Sequence, residues 1–183
     1  RRVLFRSPAD REEGHLLTDD RQRLLVFGFG NPGRLDDGLG PAFVKAVEGL
    51  GLTGIATEAD YQLTVEDADL VATYDLTLFV DATIEDIEPF HLAPVTPEAE
   101  VSFSSHKVSP GQVYHLARTL FDADTRAYIL AIRGYDYDAF GERLSTGAAE
   151  NLNQAVAFFH QLVGDSSDLG TALREAADAD GCP

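Results

Sequence analysis

The sequence predicts an α/β fold: a three-layer sandwich with a mostly parallel, twisted sheet and helices on both faces. Two observations predict it. Several apolar runs, such as Leu24 to Gly28 and Leu76 to Ala82, lack the alternation of a half-exposed strand and read as strands buried on both faces. Segments of helical spacing separate these runs, and strands alternating with helices make a parallel sheet with covered faces.

Taken in order, Leu24 to Gly28 is the first buried strand, and Pro41 to Leu50 follows with Phe43, Val44 and Val47 at helical spacing and Gly49 near its end. Thr53 to Thr57 reads as a second strand, Val65 to Thr73 as a short acidic helix, and Leu76 to Ala82 as a third strand. Pro89 and Pro94 bracket Phe90 to Ala93, which suits an edge strand, where the amide that proline lacks is not needed. Pro110 opens a helix running to about Leu120, because its fixed φ suits a first turn. Ala127 to Ile132 is another buried strand, and Thr146 to Val163 a long final helix. Residues 22–164 form one domain on this reading. Residues 1–21 and 165–183 are polar, charged and aperiodic, and are expected to be disordered.

The chain has 183 residues, enough to bury a core, and a formal charge of −17. The folded body shares that excess: residues 22–164 carry 21 acidic and 8 basic side chains. Such a charge argues against nucleic acid, whose phosphates call for a basic footprint, and against an anionic membrane surface. No apolar run approaches the roughly 18 residues of a membrane span. Arg1-Arg2 precede no secretory apolar region. The single cysteine, Cys182, allows no intrachain disulfide, which agrees with a cytoplasmic protein. A monomer is the expected state.

The first strand runs into Gly28-Phe29-Gly30-Asn31-Pro32-Gly33-Arg34-Leu35-Asp36-Asp37-Gly38-Leu39-Gly40. Gly28, Gly30 and Gly33 match the dinucleotide fingerprint G-x-G-x-x-G, with Glu58 or Asp60 as the ribose acceptor. That fingerprint needs a helix to open within the glycines, so that its N-terminus meets a pyrophosphate. Here Pro32 and two aspartates intervene, and the aspartates would repel the ligand. In a second reading the glycines permit a tight turn that holds Asp36 and Asp37 above the strand's carboxyl end. Adjacent carboxylates then call for a cation or hydrogen-bond donors, or they cap the following helix.

Asp81 terminates the run Leu-Phe-Val-Asp, and His106 stands shortly before the helix opened by Pro110. Either could serve a merely local polar role. Open α/β sheets bind ligands outside the carboxyl ends of their strands, however, and Asp37, Asp81 and His106 all fall on connections expected there. Two carboxylates and an imidazole suit a first-row divalent ion and leave positions open for water or substrate.

The elements Gly28-x-Gly30-Asn31, Asp36-Asp37-Gly38-x-Gly40, Val80-Asp81-Ala82-Thr83 and Ser105-His106 resemble, in the same order, the hydrogenase maturation proteases. The resemblance covers about residues 23–163. It implies metal contacts at Asp37, Asp81 and His106, with Asp60 another acidic position near the site. Gly30, Asn31, Asp36 and His115 are candidates for substrate contact or support. Some members carry the histidine just after a Ser-Pro pair; Gly111 stands there in this chain, which favours His106 and leaves His115 second. Gly134-Tyr135 and the run Phe140 to Ser145 resemble the branch that serves soluble, cofactor-linked hydrogenases. His15, His91 and His160 read as leader, structural or exposed residues.

The resemblance implies an endopeptidase that removes a C-terminal extension from the precursor of a nickel–iron hydrogenase large subunit. Nickel is expected to arrive on that precursor, although another divalent metal could take its place in a crystal. The metal could mark a loaded precursor, or polarise the scissile carbonyl and activate water. Neither the serine elbow G-x-S-x-G nor the zinc motif H-E-x-x-H is present. A non-enzymatic nickel-binding assembly factor would use the same three ligands and cleave no precursor, and a dinucleotide module would bind nucleotide with an affinity insensitive to loss of His106.

Overall fold

The computed structural model describes residues 22–87, 89–99 and 108–180. The leader, residues 1–21, lies outside them. Five strands form one sheet in the order β2-β1-β3-β5-β4. Strands β1 (Leu24–Phe29), β2 (Ile55–Asp60), β3 (Leu76–Thr83) and β5 (Arg126–Arg133) run parallel. The edge strand β4 (Phe90–Pro94) pairs antiparallel with β5, from Phe90 opposite Ile132 to Pro94 opposite Tyr128.

Alternate residues of each strand serve opposite faces. Leu24, Val26, Leu78, Val80 and Leu130 pack beneath α1 (Leu39–Leu50), α4 (Thr146–Asp165) and α5 (Leu169–Asp180). Leu25, Phe27, Phe79 and Ala127 pack beneath α2 (Asp67–Val71) and α3 (Pro110–Leu120). An aromatic pair anchors each layer: Phe43 meets Phe159 edge-to-face at 5.6 Å, and Phe27 stacks with Phe79 at 6.1 Å. Burying each ring contributes about 1.5–3 kcal/mol. The three-layer sandwich that the apolar runs predict is the fold observed.

Helix starts and stops follow local chemistry. Ser109 caps α3 by accepting from the Gln112 amide at 3.1 Å, while the Gln112 side chain accepts from the Ser109 amide at 3.0 Å. Gly51 ends α1 with φ +62°, a left-handed conformation that glycine adopts without penalty. Helix α1 starts at Leu39, two residues before Pro41, which its first turn accommodates. Strand β2 is displaced from the expected Thr53–Thr57, because Gly54 turns at φ +80° and pairing with β1 then continues to Asp60.

The tail corrects an expectation. Residues 169–180 form α5 rather than a disordered segment. Leu173 and Ala177, one helical turn apart, are buried in the same cluster as Leu92 of β4. Asp168 caps the helix, its carboxylate accepting from the Thr171 amide and hydroxyl at 3.0 and 2.9 Å. The acidic composition of this segment hid a narrow apolar stripe.

Candidate active site

The sheet order sets where a site belongs. From β1 the chain crosses to β2 on one side and then to β3 on the other, so the connections diverge at the carboxyl ends of β1 and β3. Such a switch point leaves a crevice. One is present, a cavity of about 290 Å³ lined by Gly30, Asn31, Arg34, Tyr61, Asp37 and Asp81 among others. A larger cavity of about 420 Å³ lies between the α1–β2 turn and the end of α4 with the α4–α5 turn, and has no ionisable side chain in its lining. Chemistry therefore points to the smaller one.

Glycine makes the crevice possible. A side chain on Gly40, at the start of α1, would lie 2.5 Å from the Val80 carbonyl oxygen and 2.7 Å from the Phe29 nitrogen. One on Gly28 would strike the Gly40 carbonyl. The two together let the N-terminus of α1 rest directly on β1 and β3. Gly30 has φ +133°, and a Cβ there would collide with the Asp37 carbonyl while standing 3.9 Å from Asp81 Oδ1. The absence of a side chain at Gly30 thus leaves room beside the Asp37 backbone and Asp81. The Gly30 amide donates to the Asp60 carbonyl at 3.1 Å, which ties the turn to β2.

Asp37 and Asp81 reach this crevice from separate segments. The Asn31 amide donates to Asp37 Oδ2 at 3.0 Å, so Asn31 orients that carboxylate through its backbone. The Asn31 side chain meanwhile accepts from the Gly33 amide at 2.9 Å and shapes the turn. Asp81 Oδ1 accepts from the Ala82 amide at 2.8 Å. Asp60 is exposed beside the crevice, its carboxylate accepting from the Tyr61 amide at 2.6 Å. His115 lies on α3 and does not line the crevice. His106 lies outside the described residues, as do His15 and Cys182. Among the described residues no three His, Cys, Asp or Glu side chains are grouped to hold a metal ion. Asp37 and Asp81 supply two hard oxygen donors, which fit part of a divalent-ion shell.

Asp36 differs from its neighbour. It is 0% exposed and accepts four hydrogen bonds from residues 135, 136 and 145. Burial pushes its carboxyl up, but the bonds from Ser145, Tyr135 and Asp136 outweigh that and hold it below the usual value. The adjacent aspartates therefore divide their roles: one is locked inside, the other faces the crevice. Tyr137 belongs to the same neighbourhood and has no signal in the sequence. Its hydroxyl donates to the Thr83 carbonyl at 2.9 Å. Burial, then the negative charges of Asp36 and Asp81, push its pKa up to about 12. Arg34, on the crevice wall, stands 5.8 Å over the ring of the exposed Phe140.

The dinucleotide reading loses its geometric basis. A 3-10 turn, Leu35–Gly38, fills the place where a helix should open, and α1 starts only at Leu39. Asp37 lines the space that a pyrophosphate would need.

No protein-family model matches this sequence. No curated protein matches it either. The fold does have solved counterparts. The chain is similar to the NiFe hydrogenase maturation protease HycI from Thermococcus kodakarensis KOD1, with 18% identity, a TM-score of 0.64, and 80% of this chain and 96% of that one covered. It is similar to a hydrogenase 2 maturation peptidase from Thaumarchaeota archaeon SCGC_AB-539-E09, at 18% identity and TM-score 0.58, covering 79% of this chain and 100% of that one. The hydrogenase maturating endopeptidase HybD from E. coli matches at 17% identity and TM-score 0.58, over 79% of this chain and 94% of that one. At these identities the likeness establishes a shared fold. Among the described residues no helix is long and apolar enough to cross a membrane.

Proposed function

We propose that this chain is an endopeptidase that removes the C-terminal extension of a nickel-loaded hydrogenase large-subunit precursor, with Asp37 and Asp81 as its working carboxylates. One observation carries the reading: two aspartates from different segments line one crevice at the switch point of a fold that hydrogenase maturation proteases also have. Fold alone would not license a function. The crevice supplies the chemistry.

An ionised carboxylate offers only acceptor oxygens. Asp37 and Asp81 therefore attract a cation and can accept a proton from a water held between them and the scissile peptide. Nickel enters as part of the substrate, carried by the precursor, with His106 as the proposed third donor. When bound, it would supply positive charge that draws electron density from a neighbouring oxygen. Waiting for a metal borne by the substrate suits a site without thiolates. Arg34 offers a positive group on the crevice wall for the precursor's backbone carbonyls or terminal carboxylate. The protein acts as a cytoplasmic monomer on this reading.

The test is to incubate the full chain with a nickel-loaded precursor and with its metal-free form, and to weigh the products. Loss of a C-terminal fragment from the loaded form alone supports the reading. Metal binding with both precursors left uncut would instead favour a non-enzymatic assembly factor.

A further inference from the structure

The carboxylate of Asp36 is buried beside the crevice, yet none of its hydrogen-bond partners is local. Oδ2 accepts from the Tyr135 amide at 2.8 Å, the Asp136 amide at 2.9 Å and the Ser145 hydroxyl at 2.7 Å. Oδ1 accepts from the Ser145 amide at 2.7 Å. A helix cap would instead bond the first amides of its own helix, and here every donor comes from about a hundred residues further along. Three backbone bonds reinforce the tie: Leu35 amide to Gly141 carbonyl at 3.0 Å, Asp36 amide to Asp136 carbonyl at 3.1 Å, and Gly141 amide to Gly33 carbonyl at 2.9 Å. Leu35 holds φ +52° within this seam, a conformation that a branched side chain rarely adopts. A Cβ on Gly134 would lie 2.9 Å from Asp36 Cβ, so the absence of a side chain there lets the two segments approach closely.

The tethered loop touches both halves of the crevice. Through Asp36 it grips the turn that carries Asp37. Through Tyr137, whose hydroxyl donates to the Thr83 carbonyl, it grips the end of the strand that carries Asp81. We propose that Asp36 is a positioning residue: its carboxylate clamps loop 134–145 across the switch point and thereby sets the separation of Asp37 and Asp81. This rests on the endopeptidase reading for its effect on cleavage, but its geometric content stands apart from it.

The decisive variant is Asp36→Asn, which preserves size and leaves no comfortable rotamer. With the amide nitrogen at the Oδ2 position it faces the Tyr135 and Asp136 N–H groups; at the Oδ1 position it faces the Ser145 N–H. Backbone amide exchange of the unliganded full chain is measured first, beside a urea melt to confirm folding. The clamp predicts that protection falls by about tenfold or more at Tyr135, Asp136 and Ser145, and also at Asn31, whose amide bonds Asp37. Loss confined to residues 134–145, with Asn31 unchanged, overturns the proposal. Precursor kinetics follow. A positioning role predicts that kcat falls about tenfold or more per folded molecule while KM changes far less; unchanged kcat also overturns it. If Asp36→Asn does not fold, Ser145→Ala removes one donor and should shift the same amides in the same direction, and no shift at Asn31 would again refute the clamp. A wild-type protein that does not cut the precursor would defeat the proposed function, and the exchange pattern would still decide the clamp.

Discussion

Two glycines in one helix should respond oppositely to the same substitution. Gly40 and Gly49 both lie within α1, and helix propensity alone would have alanine stabilise either position by about 0.5–1 kcal/mol. At Gly49 a Cβ meets nothing within 4 Å, so that gain should appear. At Gly40 the new carbon would sit 2.5 Å from the Val80 carbonyl oxygen and 2.7 Å from the Phe29 nitrogen, both of them backbone atoms of the sheet. Relief requires α1 to lift by roughly 1 Å, which loosens Leu39, Phe43, Val44 and Val47 against the sheet together. Overpacking of this kind costs about 1–3 kcal/mol, and a rigid neighbour favours the upper end. Urea melts of the two variants read the difference as opposite shifts in midpoint at constant slope. A Gly40→Ala protein as stable as the wild type would refute the argument that α1 rests directly on the strand ends.

Other consequences are open to similar measurement. Because Tyr137 is held neutral up to about pH 12, it binds its proton more tightly folded than unfolded, so its contribution to stability should be lost between about pH 10 and 12. Urea melts across that range should show a shallower decline for Tyr137→Phe; the slope will not vanish, since burial raises Tyr128 as well. Ser109→Ala removes one half of the α3 capping box and should cost about 1 kcal/mol in the same assay. Leu173→Ala should cost about 2–5 kcal/mol because this side chain is 1% exposed in the core, whereas a disordered tail would make the change silent.

What the sequence revealed and what it hid follow one physical rule: local chemistry is legible and distant contacts are not. Helix α3 matches its expected span, Pro110 to Leu120, because Ser109, Pro110 and Gln112 carry the start signal within four positions. Strands β3 and β5 were legible as unbroken apolar runs. The pairing of Asp37 with Asp81 at one crevice was legible too, through the rule that connections open at the carboxyl ends of strands. The division of labour between Asp36 and Asp37 was not, because the donors that bury Asp36 come from Tyr135, Asp136 and Ser145. Tyr137 was missed for the same reason: its link to the site is the Thr83 carbonyl, 54 positions away. Helix α5 escaped because charged residues surround Leu173 and Ala177, and composition outweighed their spacing. The glycine run pointed to two ligand classes, and the position at which α1 begins, together with Asp37 on the crevice wall, separates them.

The central claim is that precursor cleavage depends on the carboxylates at this crevice, and Asp37→Asn tests it most directly. Asparagine keeps the shape of aspartate and can still accept the Asn31 amide, so the fold should be nearly unaffected. It loses the negative charge that a cation or a proton acceptor requires. The measurement is the mass of a nickel-loaded hydrogenase precursor over time with wild-type and variant protein, beside urea melts of both. The account predicts that wild type releases the C-terminal fragment while Asp37→Asn, equally stable, leaves the precursor at full mass. Complete processing by the variant would contradict it and return Asp37 to a purely structural part in the turn.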